Sequence, residues 1–364
     1  MFKYVLRRLI QAIPIFFGIT LLSYALMAAT PGGPTAALVL GSGTPLRGGE
    51  VERLRSRLGL DDPWPIQYIR WLTGDDWLRW DADGDGIADH SFLIPLTDSQ
   101  GEPLDPGTKK GILRGDFGQS FSLRPRLVLD VLTERLPATL ELTVSGLIIG
   151  LVIGLTTGIL AAVYHGRLFD HTTRIMAVIF DAVPVFFLAL ILLLVFGKQL
   201  GWFPIGDRCD LSTIAKARAG CPIITERLNY LILPTFILAT GGIAGYSRFM
   251  RAAMLDVVSQ DYVRTARAKG LSDRQVWFKH GARNALIPIA TFIGPAITGL
   301  LGGAVFTETI FNWPGVGRTV VAAVSARDYP MVMAVTVYSG LATIIGYLIS
   351  DILYGLIDPR IRFN

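Results

Sequence analysis

Apolar residues gather in six long runs along this chain, over Leu9–Ala29, Ala138–Val163, Ile175–Phe196, Tyr230–Met250, Leu286–Phe306 and Met331–Ile357. About 20 residues of helix cross a hydrocarbon core of about 30 Å, so each run has spanning length. The runs are continuous and do not alternate in ten-residue strands, which excludes an outer-membrane barrel. The pattern predicts an all-α polytopic membrane protein with six transmembrane helices. Between the first two runs lies a polar stretch, 31–136, too long to be a mere connector. It predicts a small separate subdomain and divides the chain into 1–30 (N-terminal segment and first helix), 31–136 (insertion) and 137–364 (core).

Within the insertion, Pro31-Gly-Gly-Pro34 is a turn-rich exit from the first span. Val51, Leu54 and Leu58 have helical spacing over Glu50–Leu58, and Gly59 is placed to stop that helix. A second short helix is expected over Ile66–Leu72. The run Asp81-Ala-Asp83-Gly-Asp85-Gly86-Ile87-Ala-Asp89 sets carboxylates at positions 1, 3, 5 and 9 of a loop with glycine at 6. That is how a calcium loop begins, with the Ile87 carbonyl as a further oxygen ligand, because Ca²⁺ takes oxygen ligands and the glycine permits the sharp turn. Position 12 is Phe92, not the bidentate Glu of an EF-hand, so the pattern is nearer to truncated Asp-rich loops. A solvated Asp/Gly turn is the plainer alternative. Any calcium held here would be structural.

Composition agrees with the apolar runs. Hydrophobic residues make up 51% of the 364 and charged residues 17%, against about 25% charged in a typical soluble domain. Lys3, Arg7 and Arg8 at the N-terminus, Arg167 and Arg174 after the second run, Arg251 to Arg283 after the fourth, and Arg360 and Arg362 at the tail fall in alternate segments. The positive-inside rule puts these on the cytoplasmic side, with both termini inside. The net charge of +5 therefore describes topology and gives no reason to expect nucleic acid as a partner. The first run exceeds the apolar core of about 7–15 residues in a secretory signal, and is expected to remain as a span. Cys209 and Cys221 are the only cysteines and share one loop that this topology puts outside, where an oxidising compartment favours a structural disulfide.

The polar loop after the fourth run carries the most specific chemistry. Asp261 is placed to cap a helix over Tyr262–Lys269, Gly270 to end it, and Ser272 with Gln275 to box the start of a second helix reaching about Arg283. Tyr262, Val263, Ala266 and Gly270 share one face, with Arg264 and Arg267 opposite. Small Ala266 and Gly270 would let a partner surface approach closely. The bland alternative is an ordinary basic loop.

Ala266…Gly270 followed by His280…Asn284…Pro288 resembles the conserved coupling loop of ABC-importer permeases. Further ordered blocks extend the resemblance over nearly the whole chain: Tyr4-Val-Leu-Arg-Arg-Leu9, Pro31-Gly-Gly-Pro34, Leu58-Gly-Leu-Asp61, Gly115-Asp-Phe-Gly-Gln-Ser120, Arg135-Leu-Pro-Ala-Thr139, Asp261 to Gly270, Arg283-Asn-Ala-Leu-Ile-Pro288, Glu308 to Gly317 and Asp351 to Arg360. Together they are similar to the dipeptide/oligopeptide/nickel permeases, B-type subunit. The family's Glu-Ala-Ala is here Thr265-Ala266-Arg267, so the acidic position is lost, and the Asp-rich stretch exceeds the family's shorter members.

That resemblance implies a type I ABC importer fold in a prokaryotic cytoplasmic membrane. It implies a second, homologous permease as partner, two ABC ATPase subunits carrying ATP and Mg²⁺, and an extracytoplasmic substrate-binding protein. Asp261, Tyr262, Arg264, Ala266, Arg267, Lys269, Gly270 and Leu271 would couple to the ATPase. No phosphate-binding Gly-x-x-x-x-Gly-Lys-Ser/Thr occurs in the chain, so it is expected to be a non-catalytic subunit with no cofactor of its own apart from the calcium considered above. Asp181 with Pro184 and Glu308 are candidates for the translocation path or a gate, beside an architectural reading for each; ionisable groups at membrane depth usually face a cavity or a partner. An ion-gradient-driven secondary transporter is the alternative function, and would show inverted repeats and paired midplane acids. A membrane enzyme would need a catalytic motif. Neither pattern is evident, and the sequence does not specify the solute.

Overall fold

The computed structural model describes residues 2–30, 55, 59–98, 101–123, 126–210, 224–286, 289, 292, 295–296, 299–300 and 304–357. The chain is mostly helical, and among the described residues four helices are long and apolar enough to cross a membrane, or five if one bent pair counts as a single span. They are α1 (Phe2–Ala28), α3 (Val128–Val163), α6 (Ile224–Val258) and α11 (Tyr329–Ile357). Most of the expected span Leu286–Phe306 lies outside the described residues, as does the expected helix Glu50–Leu58 apart from Arg55.

The expected straight span Ile175–Phe196 is corrected. Helix α4 (Leu168–Ala182) ends at Val183, and α5 (Val185–Leu192) with its π-helical continuation Leu193–Gln199 departs at 101°. Pro184 sits at φ −55°, ψ 130°, and Val183 before it is extended. The proline ring disfavours helical backbone in the preceding residue, so an unbroken apolar run still turns a corner.

Two compact units divide the chain: Met1–Gln11 with Arg135–Arg318 and Leu341–Asn364, and Ala12–Glu134 with Thr319–Gly340. In the first unit, α3 meets α6 through glycines spaced every four residues. A Cβ on Gly146 would lie 2.9 Å from Leu238, on Gly150 3.5 Å from Gly242 Cα, on Gly154 2.9 Å from Tyr246, and on Gly158 2.6 Å from the Ser247 carbonyl. One helix face built of glycine brings two backbones together, the small-residue packing that serves where lipid removes the hydrophobic drive between helices. Further along, Ala162, Met250, Met254, Ala282, Ala285 and Ile289 form one buried cluster. Arg8 pairs with Asp351 at 3.0 Å.

The second unit is knit by polar groups. Helix α2 (Trp64–Thr73) covers and extends the expected Ile66–Leu72. Its Tyr68 stacks edge-on against Tyr24 at 5.6 Å and shares a 3.0 Å hydrogen bond with Thr20. Arg70 is buried between Asp62 (2.6 Å) and Asp75 (3.2 Å), and its guanidinium occupies the space a Cβ on Gly59 would need. A two-residue antiparallel pair, β1 (Arg79–Trp80) with β2 (His90–Ser91), closes the Asp-rich loop. Asp328 is fully buried and accepts hydrogen bonds from Ser120 Oγ (2.5 Å), Ser122 Oγ (2.7 Å) and Ser122 N–H (3.0 Å), while its second oxygen meets the Met331 N–H at 3.3 Å. Burial would raise that carboxyl, but the serine hydroxyls and backbone N–H groups hold it below the usual carboxylate range.

Candidate functional site

The hairpin foreseen after the fourth run is present. Helix α7 (Asp261–Ala268) begins after Gln260, which takes the N-cap position; Asp261 is already in the first turn and makes no side-chain cap. The expectation that Asp261 caps is thus corrected by one residue. Its carboxylate still lies where the helix dipole favours negative charge, 3.7 Å from Arg264. The stop at Gly270 is as expected. With φ +77° it lets its N–H reach the Arg267 carbonyl (2.9 Å) and the Leu271 N–H reach the Ala266 carbonyl (3.3 Å), the pair of bonds of a Schellman end.

Which face is free differs from the expectation. Val263 and Ala266 are buried against Val276, with Val257 and Leu271 packed around them. Val263 and Ala266 of that face therefore hold the hairpin to its own chain, while Tyr262 and Gly270 stay exposed. The periodicity identified one amphipathic face correctly, but which side it buries depends on Val276, ten residues further on. The exposed edge consists of Asp261, Tyr262, Arg264, Thr265, Arg267, Ala268, Lys269 and Gly270, with Leu271 half-buried. Arg267 lies 5.9 Å over the Trp277 ring, a cation–π contact that steadies it.

The return limb of the hairpin is helical and runs from Asp273 through a π-helical turn, Gln275–Gly281, into α8 (Ala282–Ala285). The wide turn brings Val276 and Gly281 inward, where a Cβ on Gly281 would sit 3.3 Å from Met254. Alongside, Arg251 of α6 grips the almost wholly buried Asp170 of α4 at 2.5 and 2.8 Å, and the Gly166 N–H donates to the same carboxylate at 3.0 Å. The hairpin thus stands on a foot made of α3 and α6, to which this pair fastens α4.

The remaining candidates separate. Glu308, in α9 (Val305–Ile310), is fully buried. Thr139 Oγ1 (2.9 Å), Arg318 N–H (3.0 Å) and Ala304 N–H (3.4 Å) all donate to its carboxylate. Thr139 Oγ1 in turn accepts from Val316 N–H at 2.8 Å, and the buried Trp313 indole donates to the Ala138 carbonyl at 2.8 Å. A Cβ on Gly315 would collide with that carboxylate. The reading of Glu308 as path or gate is corrected: its carboxylate is spent on holding the aromatic turn and the start of α10 (Val316–Ser325). Pro184 makes the elbow described above. Asp181, beside that elbow, is half-exposed and pairs with Arg248 of α6 at 2.8 Å. Sequence reading missed Arg248, because nothing local marks two residues 67 apart as partners.

In the Asp-rich loop, oxygens of Asp81, Asp83 and Asp89 lie within 4.8 Å of one another. Asp81 accepts the Gly84 (2.6 Å) and Gly86 (2.8 Å) N–H groups, which hold its carboxyl below the usual range. Asp83 accepts the Asp85 N–H, which lowers it, yet the negative charges of Asp85 and Asp81 leave it raised. Of the five expected ligands the structure gathers these three carboxylates. Asp85 is turned to the Ile87 N–H at 2.8 Å, and the Ile87 side chain is exposed. Cys209 is buried and is not a free thiol; Cys221 lies outside the described residues.

Comparison with known proteins identifies the family. Residues 154–363 match the family described as "Binding-protein-dependent transport system inner membrane component", and residues 1–78 match the N-terminal family of the same systems. The oligopeptide transport system permease protein AppB of Bacillus subtilis (strain 168) is 37% identical over 363 residues, covering all of both chains. The di/tripeptide transport system permease protein DppB of Pseudomonas aeruginosa (strain UCBPP-PA14) is 36% identical over 374 residues, 100% of this chain and 99% of that one. The glutathione transport system permease protein GsiC of Escherichia coli (strain K12) is 33% identical over 364 residues, again covering both chains fully. A solved amino acid ABC transporter chain is similar over 62% of this chain and 94% of its own, at 15% identity and a TM-score of 0.44, a likeness too distant to bear on the site. This chain belongs to the binding-protein-dependent transport system inner membrane components, among relatives that are permease subunits of ABC peptide transport systems.

Proposed function

We propose that this chain is the translocation subunit of an ATP-driven importer for peptides or closely related small solutes, and that α7 with Leu271 is the knob that docks in a cleft of its ATPase. A second, homologous permease completes the path, and an extracytoplasmic binding protein delivers the solute. Both termini and the hairpin face the cytoplasm, the compartment where ATP is available. The observation that carries this reading is the build of the hairpin. An eight-residue helix with a Schellman end presents Tyr262, Arg264 and Lys269 outward, while Val263 and Ala266 fix it to a foot that includes α3 and α6. A docked knob on a rigid foot passes a partner's movement into the spanning helices without deforming itself.

The peptide class rests on the relatives, which are named for oligopeptides, di- and tripeptides and glutathione. The Asp81–Asp89 loop is proposed to hold a structural Ca²⁺, and Cys209 to pair with Cys221. The decisive experiment is gentle solubilisation followed by reconstitution with the co-purifying ATPases. Arg264→Glu with Lys269→Glu is expected to abolish binding-protein-stimulated ATP hydrolysis while the chain stays folded. A chain that brings down no ATPase at all sinks the importer reading.

A further inference from the structure

Helix α6 is engaged on two sides. Leu238, Gly242, Tyr246 and Met250 meet the glycines of α3, while Phe236 meets Phe180 of α4 and Ile237 packs with Ala189 of α5. Between these two contacts runs a stripe of Gly241, Gly245, Arg248, Phe249 and Ala252, of which Phe249 stacks edge-on against Phe292 at 4.7 Å. Among the described residues a Cβ on Gly241 or Gly245 would meet nothing within 4 Å, and Phe249 is 36% exposed. Arg248 reaches from this stripe to Asp181, and the two side chains are 46% and 55% exposed. Exposed apolar side chains flank Asp181 in sequence: Val178, Ile179, Phe186 and Phe187.

Arg248 lies two residues inside the end of the apolar run Tyr230–Met250 and Asp181 six residues inside the start of Ile175–Phe196, about 3 and 9 Å along the helix axes. Arg248 is near enough to the interface to reach water, but a carboxylate at the depth of Asp181 is expected to turn to a water-filled cavity or a partner. Nor does stability explain it, because half-exposed ion pairs add little to a fold. The buried Asp170–Arg251 pair already fastens α4 to α6. What the pair offers is chemistry: a carboxylate and a planar guanidinium side by side on an open surface. The guanidinium matches a carboxylate in two-pronged fashion, and the carboxylate takes an ammonium.

We propose that Asp181 and Arg248 form a solute-contacting ion pair in the translocation path, which parts to receive the oppositely charged ends of a zwitterionic peptide and re-forms behind it. This rests on the importer reading above and adds to it the residues that meet the solute. Closed on itself, the pair leaves the path without a bare charge; opened, it exchanges one internal ion pair for two with the solute, so charge stays balanced throughout.

The test uses the assembled transporter in liposomes, supplied with its binding protein saturated with Ala-Ala, with Ala-Ala amide or with N-acetyl-Ala-Ala. The same loaded binding protein feeds wild type and variants, so its own selectivity cancels in the variant-to-wild-type ratio. Arg248→Gln is expected to lower uptake of Ala-Ala about tenfold, the loss of one charged hydrogen-bonded contact, while leaving the amide within about twofold. Asp181→Asn is expected to spare N-acetyl-Ala-Ala in the same way, and Arg248→Lys to retain the preference for a free carboxylate. A uniform loss across all three peptides overturns the proposal. So does full recovery in the charge-swapped double variant Asp181→Arg with Arg248→Asp, which marks a purely architectural pair. Failure of the variants to co-purify with the second permease also overturns it, in favour of a subunit contact. If wild type moves none of the peptides, the importer reading itself fails, an outcome distinct from all of these.

Discussion

Glu308 and Asp328 both bury a carboxylate completely, and each ties a turn to a segment far off in the chain, Thr139 at a separation of 169 residues and Ser120 at 208. Their settings differ. In the first unit, Glu308 lies beside an apolar cluster of Ala138, Leu142, Leu231 and Trp313, and α3 meets α6 through glycines. Around Asp328, in the second unit, the neighbouring structure hangs on further carboxylates: Asp62 and Asp75 on Arg70, Asp76 on Arg114, Asp116 on the Lys110 N–H. The same device thus sits in one unit packed largely through close helix backbones and in another packed largely through paired charges. Spanning helices gain from close backbones, whereas a short, loop-rich piece with a small core needs hydrogen bonds to fixed charges.

The largest effect is expected where glycine packing is broken. Gly158→Leu drives a side chain into the Ser247 carbonyl and Met250 and should cost about 3 kcal/mol or more, since overpacking against backbone finds little room to relax. Monodisperse yield and the thermal midpoint after extraction report it, and an unchanged midpoint would refute the glycine-packed contact. Next comes Glu308→Ala, which strands the Thr139, Arg318 and Ala304 donors at a cost of about 2–3 kcal/mol. Faster hydrogen exchange at Trp313 and Arg318 should appear in that variant, and Glu308→Gln should restore about half the loss. Normal protection in Glu308→Ala would show that the turn holds without its carboxylate.

Smaller, and specific to the second unit, is the response to acid. Asp328 has its folded pKa depressed, so its contribution is present above its unfolded value of about 4 and is lost as pH falls through the folded one. Protease cleavage within 101–123 is expected to rise below about pH 4 in wild type. Asp328→Asn should be weaker by about 1–2 kcal/mol at pH 7 and should respond less steeply to acid. Identical pH profiles in the two proteins would remove Asp328 from the explanation. Smallest is the Asp-rich loop: Asp83→Ala should lower protection of residues 79–91 in calcium and leave it unchanged in chelator, and equal effects in both media would refute the calcium site.

Local chemistry was readable in the sequence and distant chemistry was not. The helix Asp261–Ala268 and its end at Gly270 follow from a polar start, a helical period and one glycine, all within ten residues. The elbow at Val183–Pro184 was missed because Ile175–Phe196 is apolar throughout, and hydropathy measures solvent preference without regard to direction. Pro184 carried the signal. The glycines at 146, 150, 154 and 158 were equally visible as a spacing, yet only α6, some ninety residues on, reveals which face they serve. Glu308 offered no local cue separating a gate from a core carboxylate, for its donors come from Thr139 and Arg318. The burial of Ala266 depended likewise on Val276.

The 101° elbow also decides a matter of parity. Each limb, Leu168–Ala182 and Val185–Gln199, has fifteen residues, about 22 Å of helix, shorter than a hydrocarbon core of about 30 Å. Neither limb crosses alone; the pair crosses only if both contribute depth in the same direction. Counted as one crossing, it makes α6 the fourth, and Asp261–Gly270 emerges on the same side as Arg7 and Arg8. Counted as a re-entrant dip, it makes α6 the third, and every later segment changes sides. The shared positive charge of those two segments fits the even count. The sidedness of half the chain therefore turns on a single peptide unit, Val183–Pro184.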